Sequence, residues 1–262
     1  MKPTAAIDEV MPLPHMRGQR KTNVIDTWLI AAINNVGIHS QRFTHIVEIA
    51  VNMYLFKGVI LVALLWWVWF RPDIAQGPDG EAIRRYHREV VVIALASGFI
   101  ALVAGRLLAH YLPFRLRPMY EPALRALYPE ANVDEPVLRM WSAFPSDHSM
   151  LWCAVAMGIF LASRPVGTYA LFHAVVLIGL PRIYLGLHYP TDVLAGTALG
   201  ITCAMNLRAI RTRVCAPVLA FAQRYPGVFY GTAFVLSFEL ATQFGELRVL
   251  AHDMTQVMFH TL

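Results

Sequence analysis

The stretch Phe144-Pro145-Ser146-Asp147-His148 is followed by Arg182 and then by His188 and Asp192, all at the edges of long hydrophobic runs. Histidines, carboxylates and arginines are costly in so apolar a chain, and their grouping suggests chemistry where a membrane meets water. His188 and Asp192 are four apart, close enough for the carboxylate to hold one imidazole nitrogen and leave the other free to attack. His148 is a second histidine, suited to protonating a leaving oxygen. Arg117 and Arg182 offer guanidinium forks to a phosphate dianion. Pro145 and Pro190 stand at first-turn positions of predicted helices, whose free N–H groups and positive dipole ends would face the same anion. Ser146 either adds a hydroxyl donor or serves as a plain N-cap. Together these residues predict a phosphoryl-transfer pocket.

The elements that must position them are hydrophobic. Of 262 residues, 57% are apolar and only 15% charged, with a mean hydropathy of +0.49. A soluble domain carries about 25% charged residues. The expected fold is therefore all-α, a polytopic membrane bundle of about six transmembrane helices. The predicted spans are 54–70, 89–112, 145–163, 168–185, 190–207 and 229–244. Residues 1–22 read as a flexible tail without the apolar core of a cleavable signal peptide. Residues 23–244 read as the membrane domain with a catalytic core at 106–207, and 245–262 as an interfacial C-terminal tail. The segment from Asn23 to Val36 is too short to span and suits the interface. His45, Glu48 and Asn52 share one helical face there. Lys57 is expected to snorkel, His173 to be a buried, satisfied histidine, and Cys153, Cys203 and Cys215 to be small buried hydrophobes rather than metal ligands.

Six crossings put the tail, the 113–144 segment and the 186–190 turn on one face. The connectors 71–88, 164–167 and 208–225 lie on the other, with many arginines in short loops, which marks it as cytoplasmic. The net charge of +5 is thus read as membrane topology and lipid headgroup contact, not as nucleic-acid binding. The three polar clusters, His110 to Pro118, Pro145 to His148 and Arg182 to Asp192, all fall on the non-cytoplasmic face. No acidic cluster of the kind that binds Mg²⁺ falls there, so the reaction is expected to need no metal and no cofactor.

These clusters resemble, in order, the Lys-x6-Arg-Pro, Pro-Ser-Gly-His and Ser-Arg-x5-His-x3-Asp motifs of the type-2 phosphatidic-acid phosphatase and vanadium-haloperoxidase superfamily. The likeness covers roughly residues 110–195. It implies that His188 becomes phosphorylated, that Asp192 orients it, that His148 is the general acid, and that Arg117, Arg182 and Ser146 bind phosphate. Three positions depart from the motifs. His110 stands for the lysine, so either it contacts phosphate or Arg106 or Arg115 supplies the missing charge. Asp147 stands for the glycine, where its backbone N–H would bind while its carboxylate turns away. Pro181 stands for the serine before Arg182. Pro-Ser-Asp-His resembles the variant in bacterial undecaprenyl-diphosphate phosphatases, which turns the expected substrate toward polyprenyl diphosphates beside phosphatidate-like lipids. The implied protein is a hydrolase of a lipid phosphate or diphosphate in a bacterial inner membrane, with its site on the periplasmic or extracellular face. A lipid phosphotransferase sharing the phosphohistidine, and a catalytically impaired lipid-binding protein, are the alternatives.

Overall fold

Helix α4 (Pro78–Tyr111) sets the scale of the fold: its 34 residues extend about 50 Å at ~1.5 Å per residue. Gly77, with φ +79, turns the chain into it, Pro78 opens it, and Asp79 and Glu81 complement its positive N-terminal end. This computed structural model describes residues 23–37, 40–71, 77–128, 136–245, 250 and 254. The expected 1–22 tail, and nearly all of the 245–262 tail, lie outside the described residues.

In chain order the helices are α1 (Val24–Gly37), α2 (Gln41–Asn52), α3 (Leu55–Phe70), α4, the five-residue α5 (Pro136–Met140), α6 (Asp147–Ala162), α7 (Arg164–Tyr184), α8 (Pro190–Ala209), α9 (Arg211–Arg224) and α10 (Pro226–Ala241). Among the described residues there is no strand. Each predicted span coincides with a helix, and the protein is an integral membrane protein. By length and composition α4 and α7 can cross a bilayer alone. Two bent pairs, α2 with α3 at 67° and α8 with α9 at 76°, raise that to as many as four. Helices α6 and α10 have 16 residues each, about 24 Å, short of a ~30 Å hydrocarbon core. The expected six crossings thus correspond to six apolar helices, of which up to four meet the length and composition of a span. The 208–225 connector is itself mostly helical.

Helix α6 is the axis of the bundle. It is buried along Ser149–Ala156 and again at Gly158 and Ile159, and packs on α3, α4, α7 and α8. Small residues allow the close approach: a Cβ on Gly158 would lie 2.3 Å from the Ala94 Cβ of α4. On the α8 side, a Cβ on Gly200 would lie 2.2 Å from the Met150 carbonyl oxygen. Close backbone contact of this kind supplies the dispersion energy that holds helices together where lipid competes equally for apolar side chains. At one end of the bundle Arg85 and Arg211 both bond Glu89, at 3.0 and 3.2 Å. The other end gathers the C-termini of α4 and α7 and the N-termini of α6 and α8, so the three sequence clusters converge there.

Candidate active site

Each helix start that carries a site residue is locally determined. Ser146 caps α6, its hydroxyl accepting from the Ser149 N–H at 3.4 Å and the Ser149 hydroxyl at 3.1 Å. Pro190 opens α8, and Asp192 Oδ2 accepts the Tyr189 N–H at 2.8 Å. The Ser146 N–H donates to the Asp192 carbonyl at 3.2 Å, tying the two helix starts together.

They border a cavity of about 370 Å³. His148, His188, Arg106, Arg117, Arg182 and Asp147 all line it. His188 is 2% exposed, and its Nδ1 lies 2.8 Å from the Ala143 carbonyl oxygen. A carbonyl only accepts, so Nδ1 carries the proton and Nε2 keeps its lone pair. Arg117 Nη1, 3.4 Å from Nε2, points a donor at that lone pair. Burial, then the Arg117 and Arg182 cations, hold the His188 imidazole well below its ordinary range, so it is neutral. A neutral ring with a fixed tautomer and an unprotonated Nε2 in a cavity lined by arginines is what nucleophilic attack on phosphorus requires.

Arg117 is anchored by the backbone, Nε to the Leu138 carbonyl at 3.1 Å and Nη1 to the Leu187 carbonyl at 2.8 Å. Burial lowers its pKa, opposed by the Asp147 and Asp192 carboxylates. Arg182 is 6% exposed, and its Nε is buried without a hydrogen-bond partner. An anion bound in the cavity could accept from such a donor.

Asp147 does not turn away. Its Oδ1 accepts from the His148 N–H and lies 2.8 Å from His148 Nδ1, while Oδ2 stands 4.0 Å from Arg106 Nε. The carboxylate therefore orients His148, whereas the sequence reading expected it to turn away and leave the backbone N–H to bind phosphate. Asp192 sits differently from expectation too. Its Oδ2 is 4.0 Å from His188 Nδ1, beyond hydrogen-bond reach, and the Ala143 carbonyl takes the place assigned to it.

Asp192 is instead held by Arg115. Arg115 Nη1 donates to Asp192 Oδ1 and, at 2.9 Å, to Thr191 Oγ1, while Nη2 donates to Asp26 Oδ2 at 2.6 Å. Its guanidinium lies 3.8 Å from the Tyr189 ring centroid. Asp26 is fully buried on α1 and also accepts the Thr191 N–H and hydroxyl, at 2.9 and 2.8 Å. Arg115 thus faces away from the cavity, which corrects its reading as a substrate contact. His110 is exposed at the end of α4, packed edge-on to Tyr111 at 5.0 Å. Among the residues that line the cavity, His110, Ser146 and Arg115 are absent. The geometry therefore gives Ser146 the capping alternative and gives His110 no phosphate contact.

Several lining residues had no site role in the sequence reading. Lys57, expected at the lipid boundary, lines the cavity, as do Thr242 and Gln243 just beyond α10. Asp26 was also missed; its only signal is a carboxylate on an otherwise apolar helix face. Among the described residues no group of three or more metal-ligating side chains occurs.

Residues 88–214 match the sequence profile of the PAP2 superfamily. The chain is 30% identical to the bacitracin transport permease protein BcrC of Bacillus licheniformis, over 45% of this chain and 54% of that one. It is 26% identical to the undecaprenyl-diphosphatase BcrC of Bacillus subtilis, over 66% and 77% of the two chains. To the decaprenylphosphoryl-5-phosphoribose phosphatase of Mycobacterium tuberculosis it is 37% identical, over 46% and 60%. The match thus spans little more than half the length of the first of these relatives.

Proposed function

We propose, from the match of residues 88–214 to the PAP2 superfamily, that the protein is a membrane phosphatase hydrolysing a lipid phosphate or diphosphate through a phosphohistidine at His188. The observation that carries this reading is the His188 ring, which donates its Nδ1–H to the Ala143 carbonyl and keeps an unprotonated Nε2 beside two buried arginines. In the first step the Nε2 lone pair attacks phosphorus, and the bond from phosphorus to the lipid oxygen breaks. His148, its Nδ1–H held by Asp147, acts as the imidazolium, the form favoured by the bound dianion, and gives that oxygen its Nε2 proton. In the second step His148 takes a proton from water, the hydroxide attacks phosphorus, and inorganic phosphate leaves with His188 restored. Arg117 and Arg182 neutralise the equatorial oxygens throughout. The cations these steps use are side chains.

The substrate class rests on the relatives. One is named for undecaprenyl diphosphate and another for decaprenylphosphoryl-5-phosphoribose, so both names carry a polyprenyl chain, and the first favours the diphosphate of a long isoprenoid. The arginine-rich end of the bundle supports a cytoplasmic assignment for that end. The active site then opens on the periplasmic or extracellular side of a bacterial inner membrane. The phosphatase domain comprises 23–244 with its core at 106–207.

Rapid quenching of wild type with labelled lipid phosphate should trap an acid-labile phosphoenzyme, absent in His188→Ala. Equal label in the variant would discard His188 as nucleophile. Turnover should persist in excess EDTA and be blocked by vanadate, which mimics the transferring phosphoryl; loss in EDTA restored by Mg²⁺ would overturn the metal-free mechanism.

A further inference from the structure

Four cations and one carboxylate line the cavity, and they divide by position. Arg117 and Arg182 are buried beside the nucleophile. Arg106 lies 4.0 Å from the Asp147 carboxylate that holds His148, the group that meets the leaving oxygen. Lys57 comes from α3 and lines the same space.

Lys57 is placed by a specific local device. Residues Leu55–Val59 form a π-helical turn, a distortion common at functional sites. His173, in a second π-helical turn on α7, donates from Nε2 to the Phe56 carbonyl at 2.7 Å and pins it. Gly58 lets the turn lie against α6, since a Cβ there would be 2.5 Å from Trp152 Cζ2 and 2.7 Å from the Ala241 carbonyl. The Lys57 ammonium lies 4.6 Å from the Tyr54 ring, which also lines the cavity.

Gln243 provides an independent sign of a ligand here. It lines the cavity, is 6% exposed, and its amide nitrogen is buried without a hydrogen-bond partner. Its backbone is in the left-handed region at φ 55, a strain that persists where the surroundings hold a functional side chain in place.

We propose that Lys57, Arg106 and Gln243 form a second anion subsite beside the nucleophile, built for the inner phosphate of a diphosphate substrate. The inference rests on the phosphatase reading of this cavity. Two buried arginines already match the dianion being transferred. A lipid monophosphate leaves behind an alcohol, which needs a proton but no further cation. A diphosphate carries about three charges near neutrality, given a terminal pKa near ~6, and leaves behind a phosphate monoester. In that case the Nε2 lone pair of His188 bonds the outer phosphorus, the bridging P–O bond breaks, and its electron pair stays on the departing lipid phosphate. Lys57, Arg106 and the Gln243 amide N–H receive that charge as it develops.

The test compares wild type with Lys57→Met and Gln243→Glu on the diphosphate and monophosphate of one polyprenol in detergent. Hydrogen bonds to charged groups are worth about 1.5–3 kcal/mol, so each variant should lose about 10- to 100-fold in kcat/KM on the diphosphate. Loss on the monophosphate should stay within about 3-fold, because Arg117 and Arg182 are untouched. Equal losses on both substrates overturn the subsite. A second measurement needs no turnover: the rise in Tm with inorganic pyrophosphate should exceed that with inorganic phosphate, and the margin should vanish in both variants. A margin unchanged in both also overturns it. If wild type releases phosphate from no lipid while the pyrophosphate margin appears and is lost in the variants, the phosphatase reading fails and the subsite stands.

Discussion

Asp26, Arg115 and Asp192 form a buried charge triad, one cation between two carboxylates, and its behaviour under mutation can be worked out in advance. Asp26 accepts three bonds, at 2.6 Å from Arg115 and at 2.8 and 2.9 Å from Thr191. In Asp26→Asn the amide nitrogen must face one of these donors, so one or two bonds are lost while Arg115 keeps Asp192. At about 1.5–3 kcal/mol for each charged bond, partly offset by relaxation, the cost is about 2–4 kcal/mol. Arg115→Met is worse, because it leaves two fully buried carboxylates facing each other without their cation. Breaking a buried pair costs about 3–5 kcal/mol, and like-charge repulsion adds to it. The double variant removes one of those orphaned charges. Its loss should be smaller than the sum of the single losses by about 1–3 kcal/mol. In a chain of this size each kcal/mol moves Tm by ~2–4 °C, so thermal unfolding in detergent resolves the differences. Additive losses, or a milder effect for Arg115→Met than for Asp26→Asn, would refute the triad as the tie between α1 and the start of α8.

Because His188 sits below its ordinary 6.5 in the free enzyme, the acid limb of kcat/KM should fall below that value. Arg117→Gln removes a cation that disfavours the imidazolium, so the limb should move to higher pH; an unmoved or lowered limb would contradict this electrostatic picture. Gly196→Ala would set a Cβ 2.5 Å from the Ser146 carbonyl, at a cost of about 1–3 kcal/mol and with reduced kcat. Gly231→Ala, where a Cβ meets nothing within 4 Å, should be neutral or stabilising, and Tm and kcat of the two variants check the contrast. His110→Lys should leave the pH–rate profile unchanged, since His110 is exposed outside the cavity lining, whereas Arg106→Ala should raise KM strongly. A large effect of His110→Lys would place the end of α4 back in the site.

Most of the histidines and charged groups that line the cavity were legible in the sequence because they are tied to local rules. Ser146 and Pro190 are helix-start residues, and the residues just after a helix start present their side chains with the free N–H groups. His148 and Asp192 therefore had predictable places, and Arg182 and His188 followed from the turn that joins α7 to α8. The apolar runs located the helices for the same reason, since burial in lipid or in a bundle demands continuous apolar surface. How many of those helices meet the dimensions of a membrane span was less legible, because the helices end and bend at Met53 and Ile210.

The sequence also could not say which polar group meets which. Asp192 looked like the partner of His188 at four residues' spacing, but Arg115 draws its carboxylate aside and a backbone carbonyl, which has no sequence signature, takes the imidazole proton. Asp26 meets Thr191 across 165 residues of chain, a pairing that exists only once α1 is packed against the start of α8. Lys57 reads as a lipid-boundary lysine until a π-helical turn and Gly58 bring it to the cavity wall, and Gln243 reads as a polar residue after a helix. Local spacing determines which side chains share a helix end. Long-range packing decides their hydrogen-bond partners, and those partners set the tautomer and charge on which the chemistry depends.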